Sequence, residues 1–125
     1  MKTLLRVAVA LAVVSWAAAA PAKAQGVPEG ATKAMVDKGN EVYHKAGLCY
    51  ACHGQDGKGL VGPNLTDDVW IHNKGTYPEL VAQIAKGVTK EESKSGVPMP
   101  AKGGSTISDD DVKAVAAYVW SLSHK

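Results

Sequence analysis

The sequence contains no phenylalanine and only two cysteines among its 125 residues. An iron–sulfur cluster needs four cysteine ligands, so that class of centre is excluded. No stretch alternates polar and apolar residues over the length of a strand, which argues against a sheet. The main apolar run, residues 7–20, has 14 residues, whereas a membrane-spanning helix needs about 20. A small helical protein with a special use for its two cysteines is therefore expected.

Residues 1–24 have the layout of an export signal. Lys2 and Arg6 supply the positive start, residues 7–20 the apolar run, and residues 22–24 (AKA) a cleavage site between small residues. We therefore predict a signal peptide at 1–24 and a mature periplasmic chain of 101 residues. An uncleaved membrane anchor is the alternative, and the shortness of the apolar run argues against it.

Loss of that segment changes the charge of the protein. The whole chain has 14 basic and 12 acidic residues, a net charge of +2. Three of the basic residues precede position 25, which leaves 11 basic against 12 acidic residues and a formal charge of −1. The mature chain gives no reason to expect nucleic acid or a membrane as a partner.

Residues 25–31 are expected to form a flexible lead-in, and residues 32–125 a single domain. Its first helix should begin near Thr32 and stop at Gly47. The expected buried face of this helix consists of Met35, Gly39, Val42, Tyr43 and Ala46.

Two further helices are predicted from capping boxes. One begins near Thr76, with Glu79 three residues later, and the other begins at Ser108, with Asp111 in the matching position. Their expected apolar faces are Leu80, Val81, Ile84, Ala85 and Val88 in the first, and Val112, Val115, Ala116, Val119 and Leu122 in the second. The segments 54–63 and 89–107 are expected to be loops. The prediction is an all-α fold of three main helices, whose small core needs a large apolar body to fill it.

The two cysteines stand in the pentapeptide CYACH, residues 49–53. This is the attachment pattern of c-type haem: Cys49 and Cys52 add to the two vinyl groups, and His53 is then placed to bind the iron. A disulfide across two residues would restrain little of the unfolded chain. Zinc would need a fourth ligand near these three, and a thioredoxin-type dithiol would need a βαβ setting. One covalently bound haem c is therefore predicted.

A histidine ligand needs a partner for its second ring nitrogen. The carbonyl group of Pro63 is the candidate acceptor for His53, since a ten-residue loop can bring it back and Gly62 allows close approach. A simple turn at this place is the alternative.

The second iron ligand decides the chemistry. Met99 lies between Pro98 and Pro100, which restrict the backbone and hold its thioether in an extended segment. Met35 is expected in the core, and His72 is the rival ligand. An exposed methionine in a proline turn is the other alternative for Met99.

The motifs together resemble those of class I monohaem c-type cytochromes over nearly the whole mature chain. The resemblance rests on Gly39, Tyr43, CYACHG, GPNL, the Met99-Pro100 loop and the segment DVKAVAAYVWSL, in that order. The segment NLTD at 64–67, followed by Trp70, is especially similar to the small haem domains of bacterial haem-copper oxidase subunits.

This resemblance implies a cytochrome c-like fold, in which Gly39 and Tyr43 contact Val115 and Tyr118 of the last helix. It also implies that Pro63 accepts the hydrogen bond of His53 and that Met99 is axial. We expect a haem cavity walled by Cys52, His53, Pro63, Leu65, Trp70, Ile84 and Met99.

The expected function is periplasmic single-electron transfer without enzymatic activity, by a monomer that meets a donor dehydrogenase or cytochrome complex and an acceptor oxidase or reductase. The lysines expected to rim the haem edge and to steer an acidic partner are Lys58, Lys90, Lys94 and Lys102. A dedicated subunit of a dehydrogenase or oxidase complex is one alternative. A haem-based ligand sensor or peroxidase-like protein is another.

Overall fold

The computed structural model describes residues 26–125, together with Val13 and Ser15. The predicted signal peptide therefore lies outside the described residues, apart from those two. The elements in chain order are α1 (Lys33–His44), α2 (Tyr50–His53), α3 (Tyr77–Lys86), a 3₁₀ turn (Ala101–Gly104) and α4 (Asp109–Ser123). Within residues 26–125 there is no strand, so the all-α prediction is confirmed.

Helix α1 begins as predicted but ends earlier. Thr32 is its N-cap, and the hydroxyl oxygen accepts a hydrogen bond from the amide of Met35 at 3.2 Å. The helix stops at His44, and the amide of Gly47 turns back to the carbonyl of Val42 at 2.8 Å. Ala46 was predicted on the buried face, and this is wrong: the helix ends before it and its side chain is exposed.

Side-chain caps start the two later helices where the sequence predicted them. At α4, Ser108 Oγ accepts from the amide of Asp111 at 3.1 Å, and Asp111 Oδ2 accepts from the amide of Ser108 at 3.3 Å. At α3, Glu79 Oε2 accepts from the amide of Thr76 at 3.3 Å, and also from its hydroxyl at 2.8 Å. These bonds satisfy backbone groups that a helix start leaves without partners. Ala85, predicted on the buried face of α3, is exposed.

The core lies where α1 crosses α4. A Cβ atom at Gly39 would lie 2.0 Å from the carbonyl oxygen of Ala114, so only glycine permits this approach. One turn later the rings of Tyr43 and Tyr118 meet edge to face, with centroids 5.3 Å apart. Val115 is fully buried in the same cluster. The expected crossing of the first and last helices is present.

Helix α3 packs on α4 and closes the core from another side. Leu80 and Ile84 are buried, and Tyr77 Oη donates to the carbonyl of Lys113 at 3.1 Å. The segment 89–107 is predicted as a loop without regular structure, but it contains the 3₁₀ turn. In addition, its residue Met99 forms an isolated antiparallel bridge with Val88, just before the segment. In the described part of the chain, no helix has both the length and the apolar character needed to cross a membrane.

Candidate cofactor site

The CYACH segment forms a single helical turn, α2, which the sequence did not predict. Leu48 precedes it with a positive φ of 57°, and the amide of His53 donates to the carbonyl of Cys49 at 3.0 Å. Residues three apart in a helix lie on the same side, so both thiols face one region. The two cysteines are not joined to each other.

The thiols differ in exposure. Cys49 is half-buried and its Sγ lies 3.6 Å from the carbonyl oxygen of Gly47, whereas Cys52 is exposed. Burial raises the pKa of the Cys49 thiol to about 11. This thiol is therefore protonated at neutral pH and is a poor partner for thiol–disulfide exchange.

His53 has a defined orientation and tautomer. Its side chain is buried, and Nδ1 donates a hydrogen bond to the carbonyl oxygen of Pro63 at 2.9 Å. Burial lowers the pKa of His53, and the bond to Pro63 opposes this only in part. The ring is therefore neutral, with its proton on Nδ1 and a lone pair on Nε2. Nε2 makes no hydrogen bond within residues 26–125.

The loop after α2 returns beneath the histidine because glycine permits it. A Cβ atom at Gly62 would lie 2.9 Å from both Cε1 and Nδ1 of His53. The amide of Gly62 donates to the carbonyl of Cys52 at 2.9 Å, and that of Gly59 to the carbonyl of His53 at 2.8 Å. The hydrogen bond predicted between His53 and Pro63 is thus confirmed.

A mostly apolar pocket opens beside these groups, with about 1160 Å³ free of protein atoms including its mouth. All seven residues expected in its wall line it, namely Cys52, His53, Pro63, Leu65, Trp70, Ile84 and Met99. Cys49, from the same attachment motif, also lines it. The structure therefore brings every predicted site residue to one place, and their binding of a haem stays a prediction.

The lining of the pocket distinguishes between the candidate iron ligands. Met99 lines it, whereas Met35 is half-buried on α1 and does not. His72 also lines it, but its Nε2 accepts a hydrogen bond from the amide of Lys94 at 3.0 Å. An imidazole nitrogen with its lone pair in use cannot also bind iron. The geometry favours Met99 over His72.

Sequence reasoning missed part of the pocket wall. The polar pair Asn73 and Gln83 lines it, with the amide group of Asn73 donating to the side-chain oxygen of Gln83. Exposed apolar side chains also line it, namely Leu48, Val69 and Val97. Gln83 lies three residues after Leu80 on α3, so helical periodicity could have placed it near the wall. No periodic signal marks the others.

None of the four lysines expected at the pocket edge lines the pocket, and Lys58 lies instead beside Tyr118 and Leu122. Lys102 Nζ donates to the carbonyl of Ile107 at 3.0 Å and to Asp109 Oδ1 at 3.1 Å. It thereby links the 3₁₀ turn to the start of α4. A side chain held in this way is not free to steer a partner, so Lys102 is removed from the predicted set.

The residues present fit a haem. Two thiols on one turn can bond to two vinyl groups, the neutral imidazole offers Nε2, and apolar walls suit a porphyrin. A structural zinc ion fits less well, since no group of three or more histidine, cysteine or acidic residues has metal-binding geometry in the described ranges.

Comparison with known proteins agrees with this geometry. Residues 34–119 match the family described as cytochrome c oxidase, cbb3-type, subunit III. A cbb3-type cytochrome c oxidase subunit CcoP of Rubrivivax gelatinosus is 35% identical over 78% of this chain and 29% of its own length. Cytochrome c-554(548) of Halomonas halodenitrificans is 34% identical over 62% of this chain and 87% of its own length.

Two solved structures are similar in fold. Cytochrome cL of Methylophaga aminisulfidivorans superimposes with a TM-score of 0.54 at 23% identity, over 70% of this chain and 52% of that one. Cytochrome cL of Hyphomicrobium denitrificans gives 0.52 at 28% identity, over 68% and 45%. The predicted cytochrome c-like fold is confirmed.

The fold and the attachment motif define a class I monohaem c-type cytochrome domain, and that prediction is confirmed. The chain belongs to the family of cbb3-type cytochrome c oxidase subunit III domains. It spans about a third of the length of the curated oxidase subunits that it matches, 29% and 32% in two of them.

Proposed function

We propose that this chain is a single-electron carrier that works in the periplasm after loss of residues 1–24. One haem c is bound covalently through Cys49 and Cys52, with His53 and Met99 as iron ligands. The observation that carries the proposal is the bond from His53 Nδ1 to Pro63, at 2.9 Å. It leaves Nε2 without a proton and with a free lone pair. This nitrogen lies beside both thiols, in the same pocket as Met99.

Bound haem supplies an iron that alternates between Fe(II) and Fe(III). The polypeptide around the haem sets the reduction potential of the iron. Pro63 fixes the ring plane of His53, while Leu65 and Ile84, both buried, keep water from the wall of the pocket. A low-polarity surrounding disfavours the extra charge of Fe(III), so it raises the reduction potential.

The thioether of Met99 would also raise the reduction potential. Methionine as the second ligand raises the potential relative to a second imidazole. Pro98 and Pro100 restrict the backbone on either side, so little conformational entropy remains to be lost when Met99 is held in place. A high-potential carrier suits the oxidising end of an electron-transfer chain.

With His53 and Met99 both as ligands, the iron would have no position left for a substrate, which supports transfer of electrons rather than enzymatic chemistry. We propose that the monomer meets one redox protein as donor, a dehydrogenase or cytochrome complex, and another as acceptor, an oxidase or reductase. Lys90 and Lys94 are exposed in the loop that leads to Met99, where they can attract an acidic partner.

A dedicated subunit of a terminal oxidase complex is the second candidate. Its support is that several relatives are named cbb3-type oxidase subunits. In addition, Leu48, Val69 and Val97 expose 45%, 66% and 43% of their surface at the pocket, where a partner could cover them. Purification under mild conditions separates the two candidates: a carrier elutes alone, and a subunit elutes with its oxidase.

Replacement of the two methionines tests the axial ligand. In Met99→Ala we expect loss of the ferric methionine-to-iron charge-transfer band, a lower potential and rapid CO binding to the reduced protein. Met35→Leu is the matched control, since Met35 lies outside the pocket, and it should keep all three properties. If Met99→Ala retains the band and the potential, the proposed ligand set is wrong.

A further inference from the structure

We propose that Gly87, at the end of α3, is a positioning residue for the thioether of Met99. Its lack of a side chain lets the backbones of Val88 and Met99 pair, and this pairing fixes where Met99 enters the pocket. The inference rests on the proposed role of Met99 as an iron ligand.

The pairing of Val88 with Met99 is reciprocal. The amide of Val88 donates to the carbonyl of Met99 at 2.8 Å, and the amide of Met99 donates to the carbonyl of Val88 at 2.9 Å. Both backbone hydrogen bonds of Met99 therefore go to one residue. Closed pairs of this kind fix the distance and the relative orientation of the two chain segments.

Val88 is itself firmly placed. It is buried, and it lines the pocket together with Leu80 and Ile84 of the preceding helix. The amide of Gly87 continues the helical pattern by donating to the carbonyl of Gln83 at 2.7 Å. Met99 is thus attached through two hydrogen bonds to the helix that forms a wall of the pocket.

Two features of the structure require glycine at position 87, the backbone conformation and the close approach of Met99. Its φ of +77° and ψ of −169° lie in a region that is essentially restricted to glycine. A Cβ atom there would lie 2.4 Å from the carbonyl oxygen of Met99 and 2.7 Å from the amide nitrogen of Ala101. Because both are backbone atoms, they cannot move aside without moving Met99 itself.

Gly96 offers a matched control in the same loop, three residues before Met99. Its φ is +76°, almost the same as that of Gly87, yet a Cβ atom there would meet nothing within 4 Å. Replacement of either glycine by alanine therefore places a side chain on a backbone of positive φ. Only Gly87→Ala also pushes on Met99.

The experiment compares Gly87→Ala, Gly96→Ala and Met99→Ala as haem-loaded proteins, by absorbance and by potentiometric titration. We expect Gly87→Ala to lose the ferric charge-transfer band and to shift its potential downward, as Met99→Ala does, and Gly96→Ala to retain both. If Met99→Ala loses the band while Gly87→Ala retains it, or if the two glycine variants behave alike, Gly87 does not position Met99. If Met99→Ala itself retains the band, the axial assignment fails, and this inference with it.

Amide hydrogen exchange in the unmodified haem-loaded protein gives an answer even if Gly87→Ala does not fold. The amides of Val88 and Met99 should exchange slowly and to a similar extent. The amides of Lys90 and Val97, on exposed residues of the intervening loop, should exchange fast. Exchange at Val88 and Met99 as fast as at Lys90 and Val97 would overturn the proposal.

Discussion

The hydroxyl of Tyr43 donates a 2.7 Å hydrogen bond to the carbonyl oxygen of Gly54, the residue directly after His53. Tyr43 is completely buried where α1 crosses α4, and burial raises the pKa of its hydroxyl well above the usual range. The bond therefore connects the helix crossing to the segment that carries both cysteines and the histidine.

Tyr43→Phe should destabilise the protein without a change of fold. The substitution removes the hydroxyl and leaves the Gly54 carbonyl without this partner, which costs about 1–3 kcal/mol of unfolding free energy. Denaturant titration of the two proteins measures the difference. Tyr50→Phe is the control, since the Tyr50 hydroxyl makes no hydrogen bond in the described part of the chain. Equal stability of both variants would contradict the assigned role.

Gly39→Ala should be more damaging, although alanine favours helices over glycine by about 1 kcal/mol. The new methyl group would lie 2.0 Å from Ala114 O and 2.8 Å from Tyr118 Cβ, so α1 and α4 must separate. Overpacking of this kind costs about 1–3 kcal/mol or more. The exposed neighbour Asn40 provides the control, and Asn40→Ala should leave the thermal midpoint nearly unchanged. A Gly39→Ala variant as stable as the parent would show that the helices do not cross there.

Asp111→Asn tests a pH-dependent contribution. The ion pair with Lys38 at 2.9 Å and the hydrogen bonds to Ser108 lower the pKa of Asp111 below its ordinary value of 3.8. Because the pKa is lower in the folded state, the unfolded chain binds more protons in this window, and stability rises with pH. The contribution is complete above 3.8 and disappears as the pH falls through the lowered value.

The variant should therefore be less stable than the parent at neutral pH, and the two should converge in acid. Asp110→Asn is the matched control, because Asp110 lies in the same first turn of α4 and is 89% exposed at its side chain. Denaturant titrations across the acid range measure both. A stability difference for Asp111→Asn that is independent of pH would contradict the assignment.

Gly62→Ala should disturb the histidine rather than the fold. A methyl group 2.9 Å from His53 Nδ1 must displace the ring or the carbonyl of Pro63. The bond to Pro63 makes the imidazole a stronger electron donor, which favours Fe(III), so its loss should raise the reduction potential. The iron–histidine bond should also be retained less well in acid. Leu60→Ala, at a residue 72% exposed in the same loop, is the control and should leave the potential unchanged. An unchanged potential in both variants would show that the Pro63 bond does not tune the iron.

Much of this architecture follows from local sequence signals. Capping residues at Thr32, Thr76 and Ser108 fix the helix starts, since each satisfies free backbone groups within its own turn. The CYACH pentapeptide identifies the site because its spacing has one main chemical use. The contact of Pro63 with His53 could also be predicted, since Pro63 lies only ten positions after His53 in the sequence.

Other features depend on contacts between distant segments. Val88 and Met99 pair only because the end of α3 and the Met99 segment meet in space, and no periodicity reports this. His72 was a candidate ligand on residue type alone, until the position of the Lys94 amide showed that its Nε2 is in use. Ala46 was misplaced because the amide of Gly47 turns back to Val42 and closes α1 early.

The intact mass of the purified protein, measured after denaturation and acid–acetone extraction, tests the central claim most directly. If Cys49 and Cys52 hold one haem through two thioether bonds, the polypeptide remains coloured and is heavier by the mass of one haem, and neither cysteine reacts with a thiol reagent. A colourless polypeptide of unmodified mass, with both thiols reactive, would contradict the account.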